Sequence, residues 1–130
     1  MDTELTIQQV ASLTGLSVHT LRYYERNGLL KPVPRAANGH RRYTSVDIAS
    51  IEFLTKLRMT GMSIRHMQKF AKLMQENPQG TISDRRKILE SHESQVLQHL
   101  EELHRNLAVI QKKIQLYKEL EITNRGAEKQ

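Results

Sequence analysis

A chain of 130 residues has room for one compact domain and an appendage, not for two large cores. Its formal charge of +6 suits a polyanionic partner, and equally a solvated surface that happens to be basic. It has no cysteine, which excludes disulfides, thiolate metal ligands and thiol redox sensing together.

The position of the charge says more than its sum. Residues 1–75 hold 11 Lys+Arg against 5 Asp+Glu, a net of +6, and residues 76–130 hold 9 of each. The whole excess therefore lies in the N-terminal part, as an electrostatic footprint confined to one module would require. The opening MDTELTIQQV lacks the basic and apolar regions of a signal peptide, and no apolar run approaches the roughly 20 residues of a membrane span. A soluble, cytoplasmic protein working at the nucleoid, with no membrane contact, is expected.

Thr6 and Gln9 form a capping box, and Ile7, Val10, Ala11 and Leu13 make an apolar stripe ending at Gly15: a short first helix. Ser17 caps a second helix running to Asn27, with Leu21 and Tyr24 inward and Gly28 as its terminator. Gly15 supplies the tight turn between the pair, the pattern of a helix-turn-helix. Residues 31–43 contain Pro32, Pro34 and an Asn38-Gly39 pair, which predict a β-hairpin wing carrying Arg35, Arg41 and Arg42. Thr44 and Asp47 open a third helix to Thr60, with Ile48, Ile51, Phe53, Leu54 and Leu57 inward. Gly61 stops it, and Ser63 caps a fourth helix to about Gln75.

After the break at Asn77-Pro78-Gln79-Gly80, a long helix is predicted from Ser83 to about Ile122. Leu89, Val96, Leu103, Ile110 and Tyr117 recur every seven residues, with Leu100, Leu107 and Ile114 between them. Some 40 residues at about 1.5 Å each make a rod roughly 60 Å long, whose narrow apolar stripe needs a partner. That partner is either a second copy of the chain or, if the helix folds back, its own domain. The polar end from Asn124 to Gln130 is expected to fray.

The chemistry concentrates on the second helix. Its first turn, Ser17-Val18-His19-Thr20, offers small and polar groups able to enter a major groove, and free backbone N–H groups that favour phosphate. Arg22, one turn on, reaches base edges or phosphate, and Tyr23 has a hydroxyl of the kind that fixes register on the DNA backbone. Tyr24 belongs to the buried stripe. His92, His99 and His104 on the long helix read as solvated flank positions rather than metal ligands. His66 suits either the surface or a phosphate. Met59, Met62, Met67 and Met74 read as core filling, with a pliable apolar pocket as the other reading. No nucleophile–base pair or paired acids mark an enzyme, and no cofactor or metal is expected.

Residues 6–64 resemble the MerR-type transcriptional regulators. The likeness runs from Thr6-Ile7 through Leu21-Arg22-Tyr23-Tyr24-Glu25, Gly28-Leu29-Leu30, Pro32 and Arg35. It continues through Gly39, Arg41, Tyr43, Asp47-Ile48, Ile51, Leu57, Arg58, Gly61 and Ser63-Ile64. The resemblance implies a homodimer on double-stranded promoter DNA, held by an antiparallel coiled coil, with a recognition helix in each major groove. It places Ser17, Val18, His19 and Arg22 nearest the bases, and Tyr23, Arg41 and Tyr43, with Arg42 a less defined position, on the backbone. The third and fourth helices would form a second wing, contacting phosphate through Lys56 and Arg65. Such regulators bend and untwist an overlong promoter spacer so that RNA polymerase engages both elements, an indirect partnership that works through DNA shape. The cysteines of metal- and thiol-sensing members are missing here, and a short-tailed regulator without a separate ligand domain is expected.

The expected fold is therefore mainly α: a winged helix-turn-helix head over residues 1–75 with a small β-hairpin wing, a linker at 76–82, a coiled-coil dimerisation helix over 83–122 and a tail at 123–130. The rival function is a coiled-coil adaptor whose basic face is incidental.

Overall fold

The computed structural model describes residues 4–31 and 42–128. The described chain is mainly helical, in the order α1 (Ile7–Thr14), α2 (Val18–Arg26), α3 (Ser45–Met59), α4 (Ile64–Glu76) and α5 (Ile82–Glu128). It divides into two compact units, Met1–His92 and Glu93–Gln130.

Local chemistry sets the helix starts of the first unit. At α1 the Thr6 hydroxyl accepts from the Gln9 N–H while the Gln9 side chain accepts from the Thr6 N–H. At α3, Thr44 and Asp47 repeat the exchange, with the Asp47 carboxylate 2.8 Å from the Thr44 nitrogen. Each box satisfies N–H groups that the first helical turn cannot pair internally. Ser17 and Ser63 cap α2 and α4 by the simpler single bond. Two helices end alike. Gly28 (φ 72°) and Gly61 (φ 96°) take the left-handed conformation that L side chains resist. In each case the next residue donates back five positions, Leu29 to Tyr24 and Met62 to Leu57, and is itself buried. These are Schellman ends, in which the reversal carries an apolar side chain into the core.

α1 packs on α2 and on α3, and α3 packs on α4. Between them lies one core containing Ile7, Val10, Leu21, Tyr24, Leu29, Ile51, Leu54, Leu57 and Met67. Leu5 and Tyr43 close it with an antiparallel bridge, each N–H 2.8 Å from the other's carbonyl. Ile88 and Leu89, from the start of α5, pack against the same core. Leu89, expected at the head of the heptad seam, therefore already has neighbours in its own chain.

Several expectations change. Most of the expected β-hairpin wing, with Arg35 and Arg41, lies outside the described residues; Lys31, Arg42 and Tyr43 at its two ends are described. Leu13 is 64% exposed, because the buried face of α1 is set by Ile7 and Val10, and Leu13 is turned off that face. Phe53 is 42% exposed: it lies two residues past Ile51, about 200° around the helix, and its ring meets Phe70 at 5.7 Å instead of entering the core. Of the four clustered methionines, Met62 and Met67 fill the core, while Met59 and Met74 are exposed.

In the second unit, α5 continues as helix through Glu128, so the polar residues from Asn124 extend the helix up to that point. Leu100, Leu103, Leu107, Ile110, Ile114 and Tyr117 are all exposed, between 46% and 56%. No described helix is long and apolar enough to cross a membrane.

Candidate nucleic-acid interface

The helix-turn-helix presents α2 with one face inward and one outward. Leu21 and Tyr24 are buried, whereas His19, Arg22 and Arg26, at positions i, i+3 and i+7, are exposed along one line. Ser17 is exposed at the N-cap. Its hydroxyl accepts from the Thr20 N–H at 3.0 Å and lies 2.9 Å from the Thr20 hydroxyl. That pairing occupies Thr20 locally and leaves it half-buried. Val18 is half-buried and packs partly against the core. Of the first-turn residues, Ser17 and His19 thus offer the most accessible polar groups, with Arg22 beyond them. Arg26 shares the line but sequence reasoning did not single it out.

Tyr23 is half-buried beside the core, and Arg58 of α3 lies over both adjacent aromatic rings, 5.8 Å from Tyr23 and 5.9 Å from Tyr24. This cation–π arrangement ties α3 to the last turns of α2. Arg42 is half-exposed and ion-paired with Glu4 at 2.9 Å, an arrangement that solvent screens. Tyr43 needs correction as a backbone contact. It is 0% exposed and bridged to Leu5, so in this fold its ring belongs to the core rather than to the surface. Lys56, in the last turn of α3, and Arg65, in the first turn of α4, are both exposed.

Two further residues give little sign of their role in the sequence. Gln68 and Gln75 of α4 donate to the carbonyls of Asn27 (3.0 Å) and Gly28 (3.3 Å), at the end of α2. In the sequence they look like ordinary solvent-facing amides. The single faint signal is their seven-residue spacing on either side of buried Ala71.

The histidines divide. His92 is buried and its Nε2 lies 2.7 Å from the Thr60 hydroxyl, contrary to a solvated flank position. His99 and His104 are exposed, with His99 3.9 Å from Glu102. No group of three potential metal ligands occurs among the described residues.

Residues 6–43 match the model of the MerR family of regulatory proteins. An HTH-type transcriptional regulator of Haemophilus influenzae is 33% identical over 112 residues, covering 86% of this chain and 82% of that one. The chain belongs to the MerR family. A second relative, the HTH-type transcriptional regulator AdhR of Bacillus subtilis, is 38% identical over 94 residues. That match covers 72% of this MerR-family chain and 66% of AdhR, just under two thirds. Among solved structures, the chain is similar to HiNmlR, a MerR family regulator lacking the sensor domain, bound to promoter DNA. The TM-score is 0.82 at 32% identity, over 90% of this chain and 92% of that one. The MerR match on residues 6–43 spans α1, the turn and α2, the same elements that present Ser17, His19 and Arg22.

Proposed function

We propose that this MerR-family protein is a sequence-specific transcriptional regulator that binds a palindromic promoter element as a homodimer and remodels the spacer DNA. The observation that carries the reading is the exposed line His19–Arg22–Arg26 on a helix whose opposite face is locked into the core. A rigid helix with short polar groups at its N-terminus and arginines behind them suits a major groove. Lys56 and Arg65 supply phosphate contacts from the neighbouring helices, and Arg41 would add one from the wing. RNA polymerase is engaged indirectly, through the altered twist of the promoter, and the chemistry is binding rather than catalysis.

The exposed seam of α5 supports the homodimer. Its six apolar side chains from Leu100 to Tyr117 stand half in water in one chain, and each fully buried apolar side chain of this size contributes about 1.5–3 kcal/mol. An antiparallel pairing follows the family plan and would set two recognition helices about 34 Å apart, one turn of DNA.

The experiment is binding to duplex DNA as a function of salt, with the mass of the free protein measured alongside. A dimer whose affinity falls steeply with salt, and which protects a palindrome between the two promoter elements, is the expected result. Affinity for a partner protein that barely changes with salt, with no DNA retained, would instead identify a coiled-coil adaptor.

A further inference from the structure

We propose that Gln68 and Gln75 are positioning residues for base recognition: they fix the angle of α2 by gripping its C-terminal end from α4. The proposal rests on the DNA-binding reading above and deepens it.

The end of α2 uses up its local bonds early. The Asn27 N–H and the Asn27 side-chain amide both donate to the Tyr23 carbonyl, Gly28 donates to Glu25, and Leu29 to Tyr24. The Asn27 and Gly28 carbonyls accept none of those bonds. Each receives a glutamine amide from α4, across 41 and 47 residues of chain. Such carbonyls are ordinarily left to water at a helix end, so two side-chain donors from one helix face form a specific attachment. Arg58 adds a third tie, from α3 to the rings of Tyr23 and Tyr24.

All three ties lie towards the C-terminal end of the helix, whereas Ser17 and His19, the accessible polar groups of its first turn, lie at the other. α2 has nine residues and is about 13 Å long, so a tilt of about 5° at its C-terminus moves its N-terminus by roughly 1 Å. Hydrogen bonds to base edges tolerate only about 0.5 Å in donor–acceptor distance. A phosphate contact made by a long, flexible lysine or arginine tolerates far more. Loosening the grip should therefore damage sequence discrimination while sparing non-specific affinity. Because α4 also carries Arg65, the grip ties base reading to a phosphate contact on the second wing.

The test compares the full-length wild type with Gln68→Met, Gln75→Met and the double variant, since methionine keeps the length and removes the donor. The probes are a duplex recovered by the wild-type protein from a random-sequence pool, and an unselected duplex of equal length, each at several salt concentrations. A wild-type protein that recovers no duplex refutes the DNA-binding reading itself, and the proposal with it. Given a recovered duplex, the double variant should bind it about tenfold more weakly, with its affinity for the unselected duplex and its salt slope unchanged. Gln75→Lys, which restores an N–H donor, should keep the wild-type ratio of the two affinities. An unchanged ratio in the double variant overturns the proposal, as does a parallel loss on both duplexes. Should the double variant fold poorly, Gln75→Met alone decides, because its bond is exposed; it should lower the ratio about threefold, and no change overturns the assignment.

Discussion

The hydroxyl of Thr60, at the C-cap of α3, lies 2.7 Å from Nε2 of His92, joining the end of one helix to the third turn of another across 32 residues of chain. The same hydroxyl donates to the Lys56 carbonyl at 2.7 Å. With its one hydrogen directed there, it accepts from His92, so Nε2 carries the proton of this bond. His92 is the last residue of the first unit, so this bond anchors α5 where it leaves the head.

Thr60→Val keeps the side-chain volume and leaves the His92 N–H without this acceptor. A stranded, largely buried donor costs about 1–2 kcal/mol, between the net worth of a hydrogen bond and the full desolvation penalty. Urea unfolding should show that loss. His92→Leu in the Thr60→Val background should add less than it does alone, because the two share one bond. Strictly additive effects would show that the contact contributes nothing to folding.

Gly28→Ala should destabilise the head by about 1–2 kcal/mol through backbone strain alone. An added Cβ meets nothing within 4 Å, so crowding plays no part, and the positive φ decides the sign. Gly126 offers the contrast. It is helical and equally uncrowded, and Gly126→Ala should be neutral or stabilising by a few tenths of a kcal/mol. Thermal melting of the two variants gives the comparison, and a stable Gly28→Ala protein would mean that the α2 reversal relaxes to another conformation.

The features legible in the sequence are those whose cause is local. Two capping boxes and the glycine reversals each need only a few neighbouring residues to be recognised, and each occurs where those residues put it. The features that the sequence hides are those that distant chain decides. Tyr43 sits in an arginine-rich stretch that looks like a DNA-facing edge, yet its pairing with Leu5, far away in sequence, draws it into the core. Gln68 and Gln75 give no sign of facing a carbonyl, because polar helical residues ordinarily face water. Phe53 is apolar enough for the core, yet the helical angle turns it off the buried face of α3. His92 is buried for a related reason: a heptad flank position faces water only where α5 is free, and its start packs on the head.

Arg22→Ala removes the exposed arginine from the middle of the outward line on α2, without touching the buried Leu21 and Tyr24. The variant should melt as the wild type does, remain a dimer, and lose about 1–3 kcal/mol of binding to the selected duplex. Competition against single-base variants of that duplex locates the effect. Selectivity unchanged at every position would remove Arg22 from base recognition and leave it a phosphate contact at most.

Leu103→Asp places a carboxylate within the α5 seam, where the wild-type side chain is 51% exposed in one chain. A charge brought into a helix–helix interface without a partner is strongly unfavourable, so light scattering should give half the mass of the wild type. The head should keep its fold, since the α5 residues packed against it, Ile88, Leu89 and His92, all precede the seam position that is changed. Binding to a palindrome should collapse while the weak grip on a single half-site survives. The cysteine-free background allows the direction of pairing to be read in the same system. The midpoint of the seam from Val96 to Tyr117 falls beside Leu107, so in an antiparallel dimer Leu107→Cys should crosslink to its own copy under mild oxidation. Tyr117→Cys, near one end, should not. A parallel coil would crosslink at both positions, and a Leu103→Asp protein that stays dimeric would move the interface off this seam altogether.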